Sequence, residues 1–287
     1  MLVSVKDLLR IAEVKNQAIP AFNITSMSVI QAVIEAAEEE GQPVIIEFAT
    51  AHEEEKIMTL DLIGPVMVLM AERASVPVAV HLDHGLDFDY IKKALELGFT
   101  SVMYDGSALP FEENIANTAL AVDIARRYGA SVEAEIGKMA GLTFNNDKVL
   151  EDRDVDRSMY TDPAEAKYFV ENTGIDCLAC SFGTSHGLYK KPPKLDVELV
   201  AEIRRQTGIP LVMHGGSGVS DDDYRSVIEA GVRKINYYSY MAKAAGEEIR
   251  AQIPQEGPLF FHQIELMGRE KMNENARNAI RIFSNKA

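Results

Sequence analysis

Short apolar runs alternate with longer segments in which apolar residues recur at helical spacing. Residues 76–85 read Val-Pro-Val-Ala-Val-His-Leu-Asp-His-Gly, so an apolar run gives way to titratable side chains. Such a run is typical of a buried parallel strand, and polar groups at its carboxyl end are typical of a site at the mouth of an α/β scaffold. Residues 181–187 and 211–218 repeat the switch. The pattern predicts three strand ends that meet.

A repeating unit runs through the chain, in which a helix stops at a glycine and a strand rich in β-branched residues follows. Glycine suits the left-handed residue just past a helix end, so each glycine predicts a stop. Ser26 and Ser220 are expected N-caps. The predicted strands are residues 18–23, 43–48, 76–85, 100–104, 131–135, 176–181, 209–213 and 232–236. The predicted helices lie near residues 26–40, 58–74, 87–97, 112–128, 162–173, 195–207, 220–230 and 240–252.

Eight alternating units predict an α/β fold, a closed (β/α)8 TIM barrel. A doubly wound open sheet is the alternative that the pattern leaves open. Residues 254–287 carry spaced apolar positions and predict a C-terminal helical extension that covers the barrel or reaches a neighbouring subunit. Since the sequence has no linker or second core, residues 1–287 are expected to form a single domain. Residues 138–160, a long polar connection, predict a lid or a disordered loop.

Composition and charge narrow the class of protein. The 287 residues are 47% hydrophobic, enough for a substantial core, and carry a formal charge of −15. This charge argues against nucleic acid or an anionic membrane as a partner, but not against a small anionic substrate. The opening residues are no signal peptide and no apolar run could span a bilayer, so a cytoplasmic protein is expected. Cys177 and Cys180 fall on opposite faces of one strand, which favours core residues over a disulfide or metal pair.

Three predicted strands end in a histidine beside glycine, namely His84, His186 and His214. In a barrel these ends ring one mouth, and three imidazoles around an open position form a catalytic zinc arrangement. His81 faces the same side of its strand as Asp83 and is a weaker candidate ligand. His52 and His262 are expected to be surface residues.

Asp83 directly precedes the first of these histidines. A carboxylate beside a metal can move a proton to or from a hydroxyl of the bound substrate. The alternative is that Asp83 only orients a histidine.

Glycines accumulate in two of the same loops. The residues concerned are Gly183, Gly187, Gly215, Gly216 and Gly218, joined by Ser217 and Ser220. Their exposed backbone N–H groups before a helix predict a phosphate cradle, as found after the seventh and eighth strands of barrels. Asn236 and Ser239, at the end of the eighth strand, can add donors.

Four motifs stand at these strand ends: His-Leu-Asp-His-Gly at 81–85, Gly-Thr-Ser-His-Gly at 183–187, His-Gly-Gly-Ser-Gly at 214–218 and Lys-Ile-Asn at 234–236. Together they resemble the class II, zinc-dependent ketose-bisphosphate aldolases, over most of the chain. Chain length brings the tagatose-bisphosphate branch closer than the long fructose-bisphosphate branch. The resemblance implies a lyase that reversibly cleaves a phosphorylated ketose, a ketose bisphosphate or related ketose 1-phosphate. The products would be dihydroxyacetone phosphate and an aldehyde, formed through a zinc-stabilised enediolate.

The resemblance also implies site residues and partners. His84, His186 and His214 would hold one zinc ion per chain, and Asp83 would be the catalytic acid/base. Asp105 and Glu135 match acidic positions that can hold a second or displaced metal. The phosphate end would contact Gly187, Gly215, Gly216, Ser217, Asn236, Tyr237, Tyr238 and Ser239, with a monovalent cation near it. A homo-oligomer, a dimer or tetramer, is expected.

Two departures from the family pattern fall where the non-phosphate part of the sugar should sit. Thr143 stands where the fructose-bisphosphate enzymes have a loop glutamate that moves a proton. Tyr237 and Tyr238 stand where smaller or acidic residues usually follow the asparagine. Acids further along the loop could supply the proton, with Glu151 as the first candidate: Asp147, Glu151, Asp152 and Asp154.

Other functions and mechanisms compete with this interpretation. A non-catalytic sugar-phosphate-binding homologue would explain the missing glutamate, but Asp83 and the three histidines argue against it. A zinc hydrolase would need a general base for water and would leave the phosphate cradle unused. A Schiff base would need a lysine in the mouth. Lys234 is expected to open its strand at the opposite end, whereas Lys138 is not excluded by position.

Overall fold

Eight parallel strands close into a barrel in which each strand pairs with the next and the eighth pairs with the first. The computed structural model describes residues 1–137, 157–254 and 257–285. The strands are β1 (Ile19–Asn23), β2 (Val44–Ala49), β3 (Val78–Gly85), β4 (Ser101–Tyr104), β5 (Ser131–Ile136), β6 (Cys177–Cys180), β7 (Leu211–Met213) and β8 (Val232–Tyr237). The predicted TIM barrel is confirmed and the open sheet is excluded.

Helices follow the strands and form the outer layer. Within the described residues they are α1 (Val5–Lys15), α2 (Met27–Glu40), α3 (Thr50–Glu54), α4 (Leu60–Arg73), α5 (Phe88–Glu96), α6 (Phe111–Arg126), α7 (Pro163–Thr173), α8 (Val197–Thr207), α9 (Asp221–Ala230), α10 (Ser239–Gln252) and α11 (Phe261–Phe283). The hydroxyls of Ser26 and Ser220 accept the N–H groups of Val29 and Asp223, so both predicted N-caps are confirmed. No helix of these residues is long and apolar enough to cross a membrane.

The first helix, α1, was not predicted, and it closes the amino end of the barrel. Val5, Leu8, Leu9 and Ala12 are buried on one of its faces. They pack against the lowest interior residues of the strands, which are Ile19, Ala21, Ile45, Ala79, Cys177, Ala179 and Val212. The barrel is therefore an apolar, sealed core at this end, and functional groups can gather only at the other.

The predicted C-terminal extension is α11. It packs along α2 and α10 and buries Ala276, Ile280 and Phe283. Arg277 and Arg281 both bind the carboxylate of Glu40 on α2, each at 2.8 Å. Apolar burial and ion pairs together hold the extension on the outside of the barrel.

Most of the predicted lid lies outside the described residues. It includes Lys138, Thr143, Asp147, Glu151, Asp152 and Asp154. The described part of this connection begins with a 3-10 turn at Arg157–Met159. Arg157 forms an ion pair with Asp196, which joins this turn to the start of α8.

Candidate active site

The barrel interior changes from apolar to charged between α1 and the carboxyl mouth. Above the apolar floor lies a layer with four buried polar side chains: Glu47, His81, Glu133 and Lys234. All of them are completely buried. Above this layer lie Asn23, Asp83 and Asn236, and the histidines follow at the mouth. A buried charge is costly unless it is paired, so this stack of ionisable groups must be mutually compensating.

Three histidines meet at the mouth, as the sequence predicted. Their ring centroids are 4.9 Å apart for His84 and His214, 5.3 Å for His84 and His186, and 5.7 Å for His186 and His214. One nitrogen from each ring lies within 4.8 Å of the others. The closest pair, His84 Nε2 and His214 Nδ1, is 3.2 Å apart.

Carboxylates determine which nitrogen two of these rings offer. His84 Nδ1 lies 2.8 Å from Asp105 Oδ2, and His214 Nε2 lies 2.7 Å from Glu133 Oε1. In the neutral form of each ring the carboxylate accepts its N–H, and the second nitrogen is then a lone-pair donor that can bind a metal. The two remaining nitrogens are the pair that face each other at 3.2 Å.

This donor set fits zinc. Two nitrogens bound to one tetrahedral zinc at the usual distance lie about 3.3 Å apart, close to the observed 3.2 Å. Among the described residues, no group hydrogen-bonds Nδ1 of His186. Three neutral imidazoles with an open fourth position form the catalytic type of zinc site.

The electrostatics of the cluster favour a cation. Burial opposes protonation of His84, but the carboxylates of Asp83 and Asp105 raise its pKa to about 10. Burial, and then the neighbouring His84 and His214, lower the pKa of His186 to about 3. The surrounding carboxylates thus favour a positive charge at this point, whether a proton or a metal carries it.

Asp83 lies beside the histidines and stays ionised. Burial opposes its charge, but His84, His214 and Lys234 hold its pKa below the usual range. The side-chain amides of Asn23 and Asn236 donate to its two oxygens at 3.0 and 3.3 Å. The carboxylate is therefore fixed in direction and available as a base.

Asn23 was not predicted as a site residue. It is the last residue of β1 and is buried beside Asp83. The signal was present in the sequence, because Asn23 ends an apolar strand in the same way that His84 does. The first strand lacked a titratable residue, which is why it was overlooked.

A second group of possible ligands shares His84. One atom each from His84, Asp105 and Glu135 lie within 4.8 Å of one another. Burial, and then the carboxylate of Asp105, raise the pKa of Glu135 to about 8. Two neighbouring carboxylates with no cation between them repel each other, which favours protonation of one of them. A metal displaced from the triad to this position would offset the repulsion.

Lys234 does not lie where the sequence predicted. It is the third residue of β8, not the first, and its side chain points into the barrel interior. Its Nζ lies 2.8 Å from Glu133 and 3.4 Å from Glu47. Burial opposes its charge, but these carboxylates raise the pKa of Lys234 above the usual range. A protonated lysine that is paired with carboxylates cannot act as a Schiff-base nucleophile. Lys234 is therefore excluded from that role by its charge state, and not by its position along the strand.

The glycine-rich loops come together beside the triad. A Cβ on Gly215, whose φ is 62°, would lie 2.3 Å from the carbonyl oxygen of Ser185. A Cβ on Gly216 would meet the carbonyl of Asn236 at 2.8 Å. Glycine is therefore required where the β7 loop passes between the β6 loop and the end of β8.

Tyr189 and Ser217 tie these loops together. The Tyr189 hydroxyl accepts from the N–H of Ser185 at 2.8 Å and lies 2.9 Å from the carbonyl of Gly215. The N–H of Tyr238 donates to Ser217 Oγ at 2.9 Å. These bonds join the β6 and β7 loops to each other and to the end of β8. Gly187, in the β6 loop, has a left-handed backbone with φ 106°.

The two helices that follow these loops differ at their amino ends. α9 is capped by Ser220 and carries Asp221, Asp222 and Asp223 in its first turn. α10 begins at Ser239 with no side-chain cap and no acid in its first turn. The positive end of α9 is thus already compensated by its own residues, whereas that of α10 is free to attract an anion.

Two side chains, those of Tyr237 and His52, lie elsewhere than the sequence predicted. Tyr237 was predicted to bind substrate, but its ring lies on the outer face of β8, 6.0 Å from Phe22 and 6.1 Å from Phe283. Side chains alternate along a strand, so when Asn236 points inward Tyr237 must point outward. His52 was predicted to be exposed, but it is completely buried on α3. Its ring packs 5.6 Å from that of Tyr238, at the mouth.

Other side chains are as predicted. His262 is exposed. Cys177 and Cys180 are free thiols, buried on opposite faces of β6. His81 lies on the same side as Asp83 but one layer deeper, where its Nδ1 contacts Ser101 Oγ at 2.9 Å.

Fold and site together define a barrel enzyme built around a histidine cluster and an ionised aspartate. The family model described as fructose-bisphosphate aldolase class-II matches residues 3–287. The chain belongs to this family of lyases, so the predicted resemblance is confirmed.

Relatives support the same assignment over the full length. A "Fructose-bisphosphate aldolase" of Staphylococcus aureus strain N315 is 37% identical over 290 residues, which cover 100% of this chain and 99% of the relative. A "Probable fructose-bisphosphate aldolase" of Bacillus subtilis strain 168 is 40% identical over 262 residues, 90% of each chain. The crystal structure of the YdjI aldolase from Escherichia coli K12 superposes with a TM-score of 0.85 at 36% identity, covering 99% of this chain and 97% of that one.

Proposed function

We propose that this chain is a zinc-dependent aldolase that reversibly cleaves a phosphorylated ketose into dihydroxyacetone phosphate and an aldehyde. The observation that carries the proposal is the pair of facing nitrogens, His84 Nε2 and His214 Nδ1, 3.2 Å apart beside the ionised Asp83. Membership of the class II aldolase family supports the reaction type.

The histidine triad would hold one zinc ion per chain. When bound, zinc supplies a Lewis acid that polarises the substrate carbonyl and stabilises the negative charge left after carbon–carbon cleavage. Asp105 orients the ring of His84 and Glu133 that of His214. Asp105 and Glu135 are proposed to hold a displaced or second metal.

Asp83 is proposed to take the proton from the hydroxyl whose C–O bond becomes the aldehyde carbonyl. Its low pKa keeps it ionised before the reaction. The amides of Asn23 and Asn236 prevent it from turning away. In the synthetic direction the same group returns the proton, as microscopic reversibility requires.

The phosphate group is proposed to bind between the β6, β7 and β8 loops. The donors would be backbone N–H groups and hydroxyls of Gly187, Gly215, Gly216, Ser217, Asn236 and Ser239, and the N–H of Tyr238 holds the Ser217 hydroxyl in place. The uncompensated amino end of α10 supports this position, since α9 carries three acids of its own. A monovalent cation near the phosphate is part of the proposal.

The aldehyde half of the substrate is proposed to face the ring of Tyr238, which the buried ring of His52 supports from behind. The names of the Staphylococcus and Bacillus relatives favour a fructose bisphosphate as substrate, while chain length favours the tagatose-bisphosphate branch. A related ketose 1-phosphate would need only one phosphate site, the one described above.

A panel of phosphorylated ketoses tests this function. Fructose 1,6-bisphosphate, tagatose 1,6-bisphosphate and ketose 1-phosphates are incubated with zinc-loaded protein, and release of dihydroxyacetone phosphate is followed by a coupled reduction. We expect release from at least one of them, abolished by a chelator. A protein that binds these sugars without releasing the triose phosphate would instead be the non-catalytic homologue, which the absence of the loop glutamate at Thr143 favours.

We also propose that the protein works in the cytoplasm as a homo-oligomer, a dimer or tetramer. Exposed apolar side chains on α4, Leu62 and Leu69, support a subunit contact on that face. Light scattering of the purified protein measures the mass directly, and a monomer would contradict this part of the proposal.

A further inference from the structure

The backbone of His84 adopts a conformation that is rare for a residue with a side chain. Its φ is 53°, in the left-handed region, although the residue lies within β3. At the same place the pairing of β3 with β4 shifts register between Leu82 and Gly85. Left-handed residues other than glycine persist only where their surroundings hold them, and they cluster at functional sites.

Gly85 leaves the chain little freedom beyond this point. A Cβ there would lie 2.7 Å from the carbonyl of Met103, and its own carbonyl accepts from the N–H of Asp105 at 3.0 Å. The register shift is thus fixed on the β4 side of the strand. On the β2 side, pairing ends at Ala49 and Asp83, one residue before His84.

Thr50 takes over where the pairing with β2 ends. Its hydroxyl donates to the carbonyl of His84, with Oγ1 and O 2.9 Å apart. Thr50 is the first residue of α3, and the N-cap of that helix, Ala49, makes no side-chain capping bond. A threonine at the N-cap usually bonds the backbone of its own helix, but Thr50 lies one position past the N-cap. Its hydroxyl reaches the neighbouring strand instead and holds the carbonyl of the left-handed His84.

We propose that Thr50 is a positioning residue for the metal centre. Asp105 holds the ring of His84 at Nδ1 and Thr50 holds its backbone, so Nε2 has one direction, toward His214. Without the hydroxyl the backbone of His84 relaxes toward an ordinary conformation, which turns the Cα–Cβ bond and moves Nε2. This inference rests on the proposed function, because it takes the triad to be a zinc site.

The test is a zinc-affinity measurement on chelator-stripped protein, titrated with Zn²⁺ against a chromophoric chelator. Thr50→Val removes the hydroxyl and keeps the shape, and Thr50→Ser keeps the hydroxyl. Thr207→Val is the matched control, because the Thr207 hydroxyl also donates to a backbone carbonyl, that of Ile203 at 2.9 Å, but on the outer helix α8. Partners that orient a metal ligand typically contribute about 10–100-fold in affinity, so Thr50→Val should weaken zinc binding by roughly that factor.

Thr50→Ser should restore the affinity of the wild type, and Thr207→Val should lower the thermal midpoint of the stripped protein without changing its zinc affinity. The inference is overturned if Thr50→Val binds zinc as tightly as the wild type, or if serine fails to rescue. Should the valine variant not fold, Thr50→Ala replaces it in the same comparison. A wild-type protein that binds no zinc would overturn the proposed function itself. A wild type that binds zinc, together with an unaffected Thr50→Val variant, would overturn only the role of Thr50.

Discussion

Single carboxylates decide which nitrogen two histidines of the triad, His84 and His214, can offer. Asp105 and Glu133 each take one N–H, so the nitrogens that remain face each other across 3.2 Å. Neither role follows from the residue types alone, since a buried histidine can offer either nitrogen. The family resemblance implied a metal near Asp105, whereas Glu133 was not predicted as a site residue.

Replacement of Asp83 tests its role as the base. Asp83→Asn is nearly isosteric and keeps one carbonyl oxygen, which can accept from the amide of Asn23 or that of Asn236. The loss of a general acid/base typically costs about two to four decades in rate, so we expect kcat for ketose cleavage to fall by that factor while zinc content is unchanged. Steady-state kinetics with metal analysis give both quantities. A near-normal kcat would assign Asp83 to orienting His84 only.

The buried pair of Glu133 and Lys234 gives a second prediction at this scale. Both side chains are completely buried, with Nζ and Oε2 2.8 Å apart. Breaking a buried pair leaves one charge uncompensated and costs about 3–5 kcal/mol, so Glu133→Gln should lower the free energy of unfolding of metal-free protein by that amount. Adding Lys234→Met should recover part of the loss, which denaturant titration measures.

The control for this double-mutant cycle is an exposed ion pair with the same N–O distance. Lys93 and Asp61 also lie 2.8 Å apart, but their side chains are 36% and 64% exposed. Exposed pairs contribute about 0–1 kcal/mol, so the same cycle there should show little coupling. If the effects of Glu133→Gln and Lys234→Met were simply additive, the two side chains would not act as a pair.

At the scale of elements, the strands could be predicted from their apolar runs, and four of the helices also from a glycine at the C-cap, Gly41, Gly174, Gly208 or Gly231. α1 was missed although Val5, Leu8, Leu9 and Ala12 have helical spacing. It precedes the first strand and so stands outside the repeat that organised the prediction. His52 was misplaced for a related reason, since the short helix α3 turns it inward at the mouth.

The contribution of α1, which closes the amino end of the barrel, can be tested with two substitutions in this helix. Leu8 is completely buried against the barrel floor, whereas Val14 is 88% exposed. Large-to-small changes of buried leucine cost about 2–5 kcal/mol, so Leu8→Ala should lower the free energy of unfolding by this amount. Val14→Ala should change it by no more than about 0.5 kcal/mol. Equal effects of the two changes would mean that α1 does not seal the core.

At the scale of the whole molecule, the barrel converts positions far apart in sequence into one site. His84 and His214 are separated by 130 residues, yet they meet at hydrogen-bonding distance. This convergence could be predicted because parallel strand ends always share one face of a barrel. What could not be predicted is the depth of each side chain, as the interior position of Lys234 demonstrates.

Part of the negative charge of the molecule is concentrated in the barrel interior around the triad. The net charge of −15 argues against polyanionic partners. Among the described residues, Lys234 is the lysine that pairs with buried carboxylates of the barrel interior. Asp83, Asp105, Glu133 and Glu135 surround the triad within this interior. A divalent ion would offset their mutual repulsion, so metal removal should lower the thermal midpoint of the protein as well as its activity. Differential scanning calorimetry with and without chelator checks this, and identical midpoints would contradict it.

The most direct measurement of the central claim is a zinc titration of chelator-stripped protein, with cleavage activity followed at each point. The account predicts that release of dihydroxyacetone phosphate rises with added zinc and saturates at about one ion per chain. His186→Ala should show neither tight binding nor activity. Undiminished cleavage by stripped protein in excess chelator would contradict the account.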